Sequence, residues 1–288
     1  MELLTLKITP LSSFATVPKG DTLFGQIVAY LFLKNDKSFE NYLNEKPKLI
    51  VSDMMPLGYV YKPTLPLSYF KANATDEVDK KQLRKRNFIT LSNLQEGNLH
   101  LCERVDYIEN MVSVKNSINR TTFTTDGSDF APYGLEEKSF FRELWMFVLV
   151  DNTLKKEVLQ TIKEVGNYGF GKEGNIGKGN FEVEVLENSI KDLDTQYYMS
   201  LSPTILKDTN IEKSWYEPFT RFGKFGLHNA DFQAFKKPTL LADSSAVVKL
   251  KANKPYFGFS VNNATKEKPS FQQGYSIVIP IKLKDNNV

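Results

Sequence analysis

Gly169-Phe170-Gly171-Lys172-Glu173-Gly174 satisfies the spacing G-x-G-x-x-G, which in a dinucleotide site lets the backbone approach a pyrophosphate at a helix N-terminus. That chemistry needs a strand before the glycines and a helix after them. Here the order is reversed, so NAD or FAD binding is set aside. A Walker A loop fails as well: Lys172 stands where that pattern requires glycine, and Lys178 is followed by Gly179 rather than by the Ser or Thr that holds magnesium. ATP hydrolysis goes with it. The loop still carries six glycines from Gly166 to Gly179 and two lysines, Lys172 and Lys178. Backbone N–H groups unshielded by side chains, flanked by ammonium groups, can approach a polyanion closely. A connection from helix to strand ordinarily takes roughly 2 to 6 residues; this one runs to about twice that, which favours a phosphate-facing role over a plain connection.

A second polar segment, Val114 to Phe123, concentrates Asn116, Ser117, Asn119, Arg120 and Phe123 with little to bury. Amides that read base edges, an Arg for phosphate and an aromatic that stacks suit RNA; a polar hairpin is the plainer alternative. Basic residues recur beside aromatics in Thr220-Arg221-Phe222-Gly223-Lys224-Phe225-Gly226 and in Lys236-Lys237-Pro238. The stretch from Lys71 to Arg86 is polar, and within it Lys80-Lys81-Gln82-Leu83-Arg84-Lys85-Arg86 places five positive charges in seven residues, either a solvated mobile stretch or a strip that meets phosphates.

Catalytic signatures are missing. His100 and His228 are the only histidines and Cys102 the only cysteine, too few for a His-rich or Cys-based metal centre or a disulfide framework. No G-x-S-x-G occurs, no acidic cluster resembles a two-metal site, and Asp126 and Asp129 read as turn residues. No cofactor or metal is expected.

Elements must position these segments. Glu2 to Thr9 alternates as a half-buried strand. Leu23, Phe24, Ile27, Val28, Leu31 and Phe32 predict a largely buried helix with Asp21 as its N-cap. Leu49-Ile50-Val51 is followed by Pro56, Gly58, Pro63 and Pro66, which read as extended loop. The run from Phe140 to Val150 predicts one central buried strand. Asp151 and Asn152 then offer N-caps for a helix carrying Leu154, Val158, Ile162 and Val165, with Gly166 at its C′ position. Phe181, Val183 and Val185 alternate with glutamates as a strand. Beyond Asn188 short strands follow: 197–201, 215–219, 239–241, 246–250, 256–261 and 275–283. At roughly 150 residues per domain, the 288 residues divide into an α+β part, 1–188, and a β-dominated part, 189–288.

The composition, 41% hydrophobic and 25% charged, is that of an ordinary globular protein. A net charge of +3, from 37 Lys+Arg against 34 Asp+Glu, requires any nucleic-acid contact to rest on local charge. Residues 1–10 lack a signal-peptide pattern and no apolar run reaches about 18 residues, so the expected location is cytoplasmic, with no membrane contact.

Phe14 to Gly25, Ser52-Asp53 with Pro56 and Gly58, Asn119-Arg120 followed by Thr122, and Gly169 to Phe181 occur in an order that resembles the RAMP superfamily, within it the family of fourth Csm subunits of type III-A CRISPR effector complexes. The resemblance covers nearly the whole chain. It departs where the family's Arg-Gly-Gly-aromatic stretch is Arg221-Phe222-Gly223-Lys224-Phe225 and its Gly-Ser is Ser244-Ser245. The resemblance implies an α+β fold of two ferredoxin-like (RRM-like) domains, with the glycine-rich loop between helix and last strand of the first. It implies a non-catalytic scaffold that holds the 5′ handle of the guide RNA and meets a large polymerase-like subunit and the repeated backbone subunit. Lys172, Asn175, Gly177, Lys178 and Gly179 would grip the handle backbone; Asn116, Ser117, Asn119, Arg120 and Phe123 would meet bases; Lys19 and Arg221 complete the RNA-binding set. Residues 71–88 correspond to a variable insertion. The alternatives are a metal-independent RNA endonuclease on the same fold, which needs His100 or His228 beside the glycine loop, and an interaction domain without RNA affinity.

Overall fold

The computed structural model describes residues 1–72, 78–125, 130–207, 210–225, 235–252, 254–266 and 269–283. In the first part the chain forms β1 (Glu2–Pro10), α1 (Gly20–Leu33), β2 (Leu49–Val51), β3 (Met55–Pro56), β4 (Tyr59–Tyr61), α2 (Lys80–Lys85), β5 (Phe88–Thr90) and α3 (Leu91–Glu96). A long hairpin of β6 (Ile108–Lys115) and β7 (Tyr133–Phe140) precedes β8 (Leu144–Val150), α4 (Lys155–Tyr168) and β9 (Phe181–Leu186). The second part adds β10 (Tyr197–Ser200), β11 (Ile211–Trp215), β12 (Pro218–Arg221), β13 (Thr239–Ala242), β14 (Val247–Leu250), β15 (Tyr256–Asn262) and β16 (Phe271–Pro280). This is a mixed α+β protein.

The first sheet has the order β2-β8-β1-β9, with β3 also on β8; every pairing is antiparallel. β8 is central and all seven of its residues are buried, as its unbroken apolar run requires. Phe140 to Val150 is nonetheless not one strand. The chain turns at Phe141–Glu143, leaving Phe140 to end β7. The second sheet is β11-β14-β10-β16-β15, again antiparallel. Expected strand 215–219 divides between β11 and β12, and the closing strand starts at Phe271, ahead of Tyr275.

One hydrophobic cluster runs through both parts, joining Leu6, Ile8, Phe24 and Phe147 to Met199, Leu201, Ile277 and Ile279. Polar side chains seal the junction. Gln273 of β16 accepts from the Val51 N–H at 2.8 Å and donates to the Val51 carbonyl at 2.8 Å. This amide occupies the open edge of β2, where unpaired backbone groups would otherwise be buried unsatisfied.

Local punctuation differs from expectation in several places. Asp21 does not cap α1. The cap residue is Lys19, and the Gly20 N–H is satisfied by Asp53, 33 residues on, at 2.7 Å. α4 begins after Leu154; Asp151 holds the preceding turn by accepting from the Thr153 N–H and hydroxyl. Gly166 lies inside α4 because a side chain there would collide with the Phe181 carbonyl; Gly169, at φ +95°, ends the helix. Between Pro56 and Pro66, expected as loop, the chain still pairs through β4 with β5. Within the basic run, Lys80–Lys85 form a helical turn capped by Asp79 and anchored by buried Leu83, a burial that contributes roughly 1.5–3 kcal/mol. Residues 73–77 of the same expected mobile stretch lie outside the described residues. No helix among the described residues is long and apolar enough to cross a membrane.

Candidate nucleic-acid interface

The segment 11–19, which leaves β1 for α1, brings the sequence candidates together. Its Ser13 carbonyl accepts from the Gly179 N–H at 2.8 Å and its Thr16 hydroxyl from the Lys172 N–H at 2.9 Å. Gln26, nearly two turns into α1, brackets the glycine loop by donating to the Gly169 carbonyl (3.0 Å) and accepting from the Gly171 N–H (2.8 Å). Phe170 is buried beneath the loop against Phe14, with ring centroids 6.3 Å apart. Gly179, at φ +73°, lies so close to the Phe170 backbone that any side chain would collide with its carbonyl. Anchored at both ends, the loop leaves Lys172, Asn175 and Gly177 on its exposed rim.

Lys178 points the other way. Its ammonium donates to Glu137 at 2.6 Å and to the Ser13 hydroxyl at 2.9 Å, and its side chain is only 19% exposed. Glu137, on β7, also accepts from the hydroxyls of Ser13 and Ser113. Hydrogen bonds from Lys178, Ser113 and Ser13, in that order of effect, hold its carboxyl down to about 2. One carboxylate therefore ties the glycine loop, both strands of the β6–β7 hairpin and the segment 11–19. Phe14 adds a backbone bridge to Lys138 of the hairpin, N to O distances 2.9 and 2.8 Å, and its ring meets Phe140 edge-on at 5.0 Å.

Beyond this base the hairpin projects. Val112 and Val114 are 69% and 74% exposed, and the chain beyond β6 carries Asn116, Ser117 and Arg120 on its surface. Asn119 organises the tip: its side-chain oxygen accepts from the N–H groups of Thr121 (2.9 Å) and Thr122 (3.4 Å), and its carbonyl from that of Phe123 (2.7 Å). Phe123 sits at φ +55° and is 82% exposed. An aromatic held outward at a left-handed turn has no core to fill. It can stack on a base.

Lys19 and Arg221 form a separate cluster. Arg221 makes two hydrogen bonds to buried Asp21, at 2.7 and 2.8 Å, and Gln272 donates to the same carboxylate at 2.9 Å. Lys19 pairs with Asp243 and stands 3.9 Å from Asp53. Asp53 accepts from Ser244 (2.6 Å) and Tyr61 (3.1 Å) besides Gly20; burial pushes its carboxyl up, against the pull of Lys19. The Phe219 ring is flanked by both cations, Lys19 at 4.9 Å and Arg221 at 4.7 Å from its centroid. These contacts tie α1 to β12 and β16.

Neither the glycine spacing nor the hairpin composition pointed to Ser13, Thr16, Gln26 or Glu137. Several of their contacts span long stretches of sequence, 124 residues for Ser13–Glu137 and 156 for Thr16–Lys172. The histidine chemistry gains nothing from the geometry. His100 sits in a turn after α3, where its carbonyl accepts from Arg86 at 2.9 Å, and His228, Asp126 and Asp129 lie outside the described residues. Among the described residues no three His, Cys, Asp or Glu side chains are grouped to hold a metal.

No protein-family model and no curated protein matches the chain. Solved structures do. A chain in the crystal structure of a Csm1-Csm4 cassette with AMPPNP aligns over 99% of this chain and 99% of its own length, with a TM-score of 0.63 at 18% identity. A chain in the Csm3-Csm4 subcomplex of a type III-A CRISPR-Cas interference complex aligns over 97% and 99%, with a TM-score of 0.63 at 16% identity. Csm4 is the component both complexes share, and the fold of this chain is Csm4-like.

Proposed function

We propose that this chain is a non-catalytic, guide-RNA-binding scaffold subunit of a type III-A CRISPR effector complex, gripping the 5′ handle of the guide in the cytoplasm. The observation that carries the reading is the Glu137 hub, which holds a glycine loop rimmed by Lys172, Asn175 and Gly177 against a hairpin that ends in Asn119, Arg120 and Phe123. The two ends offer complementary chemistry. The loop's N–H groups at Gly171, Lys172 and Gly179 are taken by Gln26, Thr16 and Ser13, so the exposed Lys172 ammonium and Asn175 amide are what meet phosphates and fix register, whereas the amides and aromatic of the hairpin suit bases and supply sequence preference. In this reading Lys178 and Gly179 shape the loop, Ser117 and Asn116 extend the base-reading end, and Lys19 and Arg221 set the orientation of the second part against the first.

A fold of this kind hosts many functions, so the site carries the reading and the fold supports it. The order β-α-β-β-α-β, with sheet order β2-β8-β1-β9, supports a ferredoxin-like unit within residues 1–188; residues 189–288, whose described part forms strands and no α-helix, would be a β-rich RRM-like domain. The neighbours would be the large polymerase-like subunit and the backbone subunit, as the Csm1 and Csm3 that accompany Csm4 in the similar structures suggest. The test is purification of the tagged full chain from its native host, followed by ultraviolet crosslinking of bound RNA and identification of the crosslinked peptides. A uniform small RNA crosslinked within 114–123 and 169–179 is the expected result. Absence of RNA, or crosslinks confined to other surfaces, would refute the reading.

A further inference from the structure

The basic run Lys80–Arg86 has no part in the handle grip, yet it is built into the molecule. Leu83 anchors α2, and the cations Lys80, Arg84 and Arg86 line one side of a cavity of about 530 Å³. Lys62 lines the same cavity. None of these four cations makes an ion pair within 4.0 Å among the described residues, whereas Lys19, at the far wall, is spent on Asp243. Among the described residues Lys62 has one protein acceptor, the Leu83 carbonyl at 2.8 Å, where an ammonium offers three donors. Burial holds its pKa below the ordinary lysine value. Asp243, held by Lys19, and Glu217, which has no ion-pair partner within 4.0 Å among the described residues, line the same cavity; four cations against one unpaired carboxylate, with a partly buried ammonium among them, is a charge distribution that an anion would complete.

The other walls narrow the class of anion. Leu65 and Phe70 present an apolar face, and Thr64 and Ser245, hydrogen-bonded to each other at 2.9 Å, present hydroxyls. The volume lies within the roughly 300–1,000 Å³ of small-molecule sites. We propose that this cavity binds a free nucleoside monophosphate, with the phosphate among Lys62, Lys80, Arg84 and Arg86 and the base against Leu65 and Phe70. The site is distinct from the proposed handle grip: no described residue of the glycine loop or hairpin lines it.

Equilibrium dialysis of the full chain against labelled AMP tests this, with adenosine, inorganic phosphate and 5′-phosphorylated RNA as competitors. Saturable binding is expected, with each competitor about tenfold or more weaker: adenosine lacks the charge-assisted hydrogen bonds of the phosphate, and inorganic phosphate lacks the apolar contact of the base. The double variant Lys80→Glu with Arg84→Glu changes two exposed side chains, so it should fold like the parent yet bind AMP about tenfold or more weaker; circular dichroism checks the fold. Failure of AMP to saturate, equal binding of adenosine or phosphate, or unchanged affinity in the folded double variant would overturn the proposal. So would preference for 5′-phosphorylated RNA over AMP, which would make the cavity part of an RNA path. Loss of handle binding in a Lys172 variant leaves these outcomes unaffected, so the two readings can fail separately.

Discussion

Replacement of Glu137 by Gln measures how tightly the glycine loop is held to the hairpin. The Gln side chain keeps the shape and one acceptor oxygen but removes the charge that pairs with Lys178 at 2.6 Å. Glu137 is 3% exposed and its carboxyl is held at about 2, against 4.5 ordinarily. At about 1.36 kcal/mol per pKa unit this amounts to roughly 3 kcal/mol. Lys178 retains some solvent, which reduces the net value to about 2 kcal/mol. A carboxyl depressed in the fold contributes fully above its unfolded pKa and loses that contribution as pH falls toward the folded one. The difference between parent and Glu137→Gln should therefore be complete above about pH 5, less than half by about pH 3, and gone below about pH 2. In urea, with a slope of about 3 kcal/mol/M for a chain of this size, the midpoint at pH 7 should fall by roughly 0.7 M. Equal midpoints at pH 7, or a difference that persists unchanged into acid, would refute the hub.

Other perturbations separate the roles around it. Lys172→Ala should weaken handle and scrambled RNA by a similar factor and reduce the salt slope of binding by about one, read by titration at several salt concentrations in the assembled complex. Asn119→Ala should narrow the gap between the two RNAs by roughly 1–3 kcal/mol, a range borrowed from base readout in DNA, with little change in slope. Gly179→Ala forces a side chain into the Phe170 carbonyl at φ +73° and should cost more than about 1 kcal/mol, with trypsin cutting at Lys172 and Lys178 earlier than in the parent. Asp21→Ala strands the Arg221 guanidinium and should cost about 3 kcal/mol, seen as a melting temperature lower by roughly 6–12 °C.

What the sequence made legible is what neighbours in sequence decide. Leu23, Ile27 and Leu31 lie four residues apart and are buried on α1, because helical periodicity is written over about one turn. The strand at Glu2–Pro10, the buried run of β8 and the helix before the glycine loop follow from the same short-range logic. Caps were less legible, since an N–H has no preference for a local acceptor over a distant one: Asp53 takes the Gly20 N–H, and Asp21, in the expected capping position, takes Arg221 from 200 residues away. Charge was least legible of all. Lys172 and Lys178 read alike as phosphate partners, six residues apart on one loop, yet Lys172 stands 60% exposed while Lys178 turns inward to Glu137. The difference arises because Ser13, Ser113 and Glu137 converge only when β1, β6 and β7 are already in place. A cation's role on such a loop is set by whether the fold delivers a carboxylate to it, and that decides which lysine remains available to RNA.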